Sequence, residues 1–137
     1  MATAFTSWAK WDQRTVGEKL TSPGVYVIAL SESDISDVPF SWREEVIYIG
    51  MTNSKGGLKS RLQQFDNTIK GKLGHGGAQR VRFKHCDYTR LVPHLYVSVC
   101  RFECDVESKR PVDLRIMGHV ASYEYRSEEH TSELQSQ

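Results

Sequence analysis

Glu45-Val-Ile-Tyr-Ile-Gly-Met-Thr-Asn-Ser-Lys-Gly-Gly-Leu-Lys-Ser-Arg-Leu-Gln-Gln-Phe65 is the stretch on which the chain turns. Val46, Ile47, Tyr48 and Ile49 form a β-branched and aromatic run, the composition of a largely buried strand. Gly50 ends that run, so the reading predicts a strand over 45–50. Gly56-Gly57 then precede Leu58, Leu62, Phe65 and Ile69, which share one helical stripe and predict a helix over 58–70. Arg61 falls between Leu58 and Phe65, on the inward half of that helix. A guanidinium there cannot shed its charge and must find an anion.

Upstream, Ser22-Pro23-Gly24 is a turn signal, and Val25-Tyr26-Val27-Ile28 opens a similar strand over 25–30. Residues 31–43 read as a polar loop between two antiparallel strands. Downstream, Gly71-Lys-Leu-Gly-His-Gly-Gly77 reads as a flexible loop whose amides could approach a phosphate beside Lys72 and His75. A short basic helix is expected over 78–85 and a third strand over 95–102. Pro111 suits a first helical position and Asp113 a first turn, with Leu114, Met117, Val120 and Ala121 as the inward face. Residues 1–22 form a lead-in, expected as a short helix that packs Trp8 and Trp11 on the core. Strands alternating with helices, the first pair antiparallel, give an α+β domain.

The chain has 137 residues, with 39% hydrophobic and 26% charged, the profile of one ordinary globular domain. No run approaches the ~20 apolar residues of a membrane span, and no charged segment followed by an apolar run marks a signal peptide. The expectation is a cytoplasmic protein with no membrane partner. Three cysteines fit a reducing compartment, and the spacing of His85, Cys86, His94, Cys100 and Cys104 matches no standard zinc ligand pair. The net charge of +1 hides an asymmetry. Between Lys55 and Arg90 stand nine Lys or Arg against only Asp66 and Asp87, the footprint expected of a nucleic-acid partner.

Gly24-Val25-Tyr26, then Tyr48-Ile49-Gly50, then Arg61 on the following helix, together resemble the GIY-YIG nuclease family. The likeness spans roughly 23–125. It implies a small three-stranded antiparallel sheet flanked by helices and a metal-dependent DNA endonuclease. On this resemblance Tyr26 is the expected base and Tyr48 its partner in positioning and deprotonating a water. Arg61 would bind the scissile phosphate, its fork matching two oxygens. Glu124, on the last helix, is the expected ligand for Mg2+ or another divalent cation such as Mn2+, with Glu103 and Glu107 as runners-up. Lys55, Lys59, Lys72, His75, Arg80, Arg82 and Lys84 are the expected phosphate contacts on the DNA. The chain departs from the family pattern at Phe65, where many members carry a His or Tyr one turn after the Arg.

From Arg126 the chain reads Arg-Ser-Glu-Glu-His-Thr-Ser-Glu-Leu-Gln-Ser-Gln137. This string resembles the in-frame translation of a widely used short-read sequencing adapter. Residues 126–137 are accordingly expected to be non-native, on a metagenomic fragment whose domain occupies 23–125 and stops short within its last helix. Two functions are open at this point: a catalytic endonuclease, or a nucleic-acid-binding module that keeps the fold without turnover.

Overall fold

The computed structural model describes residues 5–14, 20–72, 76–84 and 87–122. Four strands, β1 (Ala9–Lys10), β2 (Gly24–Leu30), β3 (Val46–Thr52) and β4 (Leu95–Arg101), form one sheet in the order β1-β4-β2-β3. Every neighbouring pair is antiparallel. The α-helices are α1 (Gly57–Ile69), α2 (Gly76–Lys84), the single turn α3 (Tyr88–Leu91) and α4, helical over 111–122. The α+β class stands. The strand count does not: a fourth strand adds to the expected three.

That fourth strand lies in the lead-in. Instead of a helix, residues 9–10 extend alongside β4, with Ala9 opposite Val97 and Lys10 opposite Tyr96, before a 3-10 turn at Trp11–Gln13. Trp8 and Trp11 therefore share no stripe. Both are fully buried, but in different apolar clusters, because an extended chain crossing the sheet edge serves both sides.

Strand β2 is paired on both edges, and its near-continuous apolar sequence follows from burial on both faces. Tyr26, Ile28, Val97 and Val99 join one cluster with Leu58, Leu62, Phe65 and Ile69 of α1 and Ala78 and Val81 of α2. Val25, Val27, Ala29, Tyr96 and Cys100 join the other with Ile35 and Val120. The segment 31–43, expected as a polar loop, adds Val38, Phe40 and Trp42 to that second side. Phe5 stacks on Phe40 at 4.3 Å, and Phe40 meets Trp42 edge-on at 5.0 Å.

Helix α1 begins without a side-chain cap. Its first amides bond instead to backbone: Gly57 to Ser54, Leu58 to Ser22 and Lys59 to Leu20. The orphan donors of the helix start are thus satisfied by the chain entering β2, which ties helix to sheet. In α4 the buried positions are Asp113 and Val120, with Ile116 and Met117 half-buried, whereas Leu114 and Ala121 are exposed. The inward stripe is rotated from the expected one because Asp113 turns inward. Its carboxylate accepts from the Asp105 amide at 3.2 Å and pairs with Arg110 at 3.0 Å. The Ser108 hydroxyl, the Asp105 amide and the Arg110 charge hold it below the usual carboxylate range, against a smaller opposing effect of burial.

Candidate functional site

Register brings the two phenols together. Tyr26 lies opposite Gly50 and Ile28 opposite Tyr48, so Tyr26 and Tyr48 are diagonal neighbours on one face of an antiparallel pair. Their rings sit 5.9 Å apart at 40°. The Tyr26 side chain lies across the backbone of Gly50, where an added Cβ would collide with its phenol end. On the far side of the pair, Gly77 in the first turn of α2 faces the Tyr48 ring, and a Cβ there would collide with the ring and its oxygen. One phenol thus needs a bare backbone beneath it and the other a bare helix turn above it.

Arg61 of α1 completes the group. The Tyr26 hydroxyl is hydrogen-bonded to the Arg61 guanidinium and to Tyr48, while Arg61 Nη1 also donates to Gln64 Oε1 at 2.8 Å. Arg61 is half-buried rather than enclosed, so part of its fork stays open to solvent. Tyr26 is fully buried and Tyr48 half-buried. Burial, and then the neighbouring Tyr48, push the Tyr26 phenol far above its ordinary value, more than the Arg61 charge and hydrogen bond pull it back. Arg61, which has only donors, donates to Tyr26. Such an environment disfavours Tyr26 as the proton acceptor expected from its motif position.

Phe65 is fully buried, 5.6 Å from the Tyr48 ring and 5.4 Å from Trp11. It serves as packing behind Tyr48, and no proton-transferring group occupies that position.

One residue beyond Phe65, Asp66 forms a second polar centre that the sequence reading treated only as an acid in a basic run. Its carboxylate is 1% exposed, accepts from Trp11 Nε1 at 2.8 Å and Tyr88 Oη at 2.7 Å, and pairs with Lys70 at 3.0 Å and Arg14 at 3.2 Å. Burial acts to raise its pKa. The Trp11, Tyr88 and Lys70 hydrogen bonds and the Arg14 charge outweigh that and hold the group below the usual carboxylate range.

The expected phosphate contacts separate into kinds. Lys55 is exposed and paired with Glu107 at 3.3 Å. Lys59, Lys72, Arg80, Arg82 and Lys84 are exposed and form no ion pair among the described residues. His75 and Glu124 lie outside the described residues. So do His85 and Cys86. The runner-up acids both face cations, Glu107 at Lys55 and Glu103 at Arg101, the latter at 3.7 Å. Among the described residues no group of three His, Cys, Asp or Glu could hold a metal ion. Around the phenols the described residues supply hydroxyl oxygens and a guanidinium, so the expected carboxylate for magnesium rests on Glu124. Cys100 is buried, and burial pushes its thiol up to about 11, the state of an inert core cysteine.

No helix among the described residues is long and apolar enough to cross a membrane. The fold and this phenol–guanidinium group define an α+β domain with a polar cluster on one sheet face. No protein-family model matches the chain, and neither a curated protein nor a solved structure matches it significantly.

Proposed function

We propose that the protein is a metal-dependent DNA endonuclease that hydrolyses phosphodiester bonds at the Tyr26–Tyr48–Arg61 group. The observation that carries this reading is the convergence of two phenols and a guanidinium in a domain where Lys59, Lys72, Arg80, Arg82 and Lys84 pair with no acid among the described residues. The roles of the phenols are exchanged relative to the sequence expectation. Tyr26, kept neutral by its surroundings, would donate a hydrogen bond that stabilises a Tyr48 phenolate. Tyr48, half-buried, is the phenol able to meet a water and take its proton. Arg61 positions Tyr26 and offers the open part of its fork to a phosphate. Lys59, Lys72, Arg80, Arg82 and Lys84 would hold the backbone on either side. A divalent cation held by Glu124 would supply charge at the departing oxygen.

Phe65 favours a second reading, a nucleic-acid-binding module without turnover, because a buried phenyl can neither donate nor accept a proton. Plasmid cleavage with magnesium or manganese separates the two. The endonuclease reading expects cutting by the wild type that rises with pH as a phenol ionises, and its loss in Tyr48→Phe. Salt-sensitive binding with no cutting under either metal would leave the binding module. Neither binding nor cutting would remove both.

A further inference from the structure

The outer face of α2 carries a feature that the phenol site does not use. Phe83 is 93% exposed. Gly77, Ala78 and Val81 form the buried side of this nine-residue helix, and Phe83 falls on the opposite meridian, with Gln79 and Arg80 in the turn before it. Arg82 and Lys84 project on its two sides. The helix contains no acid, and Arg80, Arg82 and Lys84 form no ion pair among the described residues. A lone exposed apolar side chain needs no explanation. A phenyl ring held at the centre of three unpaired cations is a different arrangement. Its face is open to a flat apolar partner, and its rim is set for phosphates.

We infer that Phe83 is a stacking platform for an unpaired base of a bound nucleic-acid strand, with Arg82 and Lys84 holding the flanking backbone. This rests on the proposed nucleic-acid reading and deepens it by naming single-stranded or locally unstacked nucleic acid as the form engaged. Stacking needs a free base face, which a continuous duplex does not offer. The same helix fixes the distance from the chemistry. Gly77 packs on Tyr48, and Phe83 lies six residues further along, roughly 9 Å at the helical rise, and on the opposite side of a helix about 10 Å across, so the two faces are roughly 14 Å apart. That is about four steps of about 3.4 Å along one strand, so the stacked base belongs roughly four nucleotides or more from the bond at the phenols.

The test uses the full chain and a short single-stranded oligodeoxynucleotide carrying 2-aminopurine at successive positions, beside the matching duplex. Wild type is expected to change the emission of the probe at one or two positions in the single strand. Phe83→Ala should abolish that change and weaken single-strand binding by roughly tenfold, with the salt dependence unaltered because no charge is removed. Phe83→Trp should restore both. Wild-type emission and affinity in Phe83→Ala, with binding and cutting intact, would overturn the stacking role and leave the nuclease reading standing. Absence of any binding or cutting by wild type would overturn both.

Discussion

Two polar centres hang on the same helix, and they differ in one respect. Asp66 is enclosed: Trp11 and Tyr88 donate to Oδ1, and the Lys70 and Arg14 cations lie at Oδ2 of a carboxylate that is 1% exposed. Five residues earlier, Arg61 meets Gln64 and the Tyr26 hydroxyl, with no acid paired to it among the described residues. The first arrangement meets its one anion with two cations, Lys70 partly exposed, and joins the lead-in, α1 and α3. The second leaves a half-buried guanidinium with no acid paired to it among the described residues. A buried carboxylate already met on both oxygens has no room for a ligand, whereas a guanidinium without a counter-ion beside two hydroxyls attracts an anion. The difference separates a part that holds the fold from a part suited to a ligand.

Breaking the Asp66 centre has the largest expected effect. Asp66→Ala leaves Arg14 and Lys70 without their counter-ion and two buried donors without an acceptor, a loss of about 3–5 kcal/mol. Denaturant or thermal unfolding measures it. Asp66 also makes stability depend on pH, and the sign follows from its depressed pKa. The unfolded chain binds the proton more readily, so this contribution is fully present above the ordinary carboxylate value and is lost as pH falls through the folded one. Asp66→Asn should flatten the acid limb of the stability–pH curve. An unchanged limb would move the acid sensitivity elsewhere.

Next in size is Arg61→Ala, which is expected to lower cleavage by about 10²–10³-fold, the loss typical of one preorganised donor at a transition state. Because Arg61 is half-buried and pairs with no acid among the described residues, its unfolding midpoint should move far less than that of Asp66→Ala. Equal destabilisation in the two variants would erase the distinction between the centres. Gly77→Ala follows. The added methyl meets the Tyr48 ring, and the resulting shift of helix or ring should cost roughly 1–3 kcal/mol. Cleavage should fall with it, since the displaced ring is the proposed base.

The sequence showed more of the second centre than of the first. Val46 to Ile49 and the stripe Leu58, Leu62, Phe65 and Ile69 carry their periods openly, and β3 and α1 formed where those periods place them. Tyr26 and Tyr48 are legible because strand alternation and a short separation put them on one face. Strand β1 was hidden. It is two residues long, and its pairing joins Ala9 to Val97, a contact with no local signature. Trp8 and Trp11 have helical spacing but flank a short strand, Trp11 opening a 3-10 turn, because β4 offers a free edge that the local sequence does not announce. Asp66 counted only as an acid in a basic run because its partners Trp11, Arg14 and Tyr88 come from other segments. Gly77 resembled loop punctuation for the same reason: the ring it accommodates is on β3.

The finest test of the comparison stays within the basic run, where net charge alone makes every cation equivalent. Arg90 is paired with Asp87 at 3.5 Å, while Arg82, eight residues earlier, pairs with no acid among the described residues. If free cations are the ones that meet phosphates, Arg82→Gln should reduce the slope of log affinity against log salt by about one. Arg90→Gln should leave that slope nearly unchanged, because Asp87 already screens the charge it removes. Both side chains are exposed, so neither change should move stability by more than about 1 kcal/mol. Equal slope changes would mean that the run acts as a diffuse field, with pairing irrelevant to which residues touch the nucleic acid.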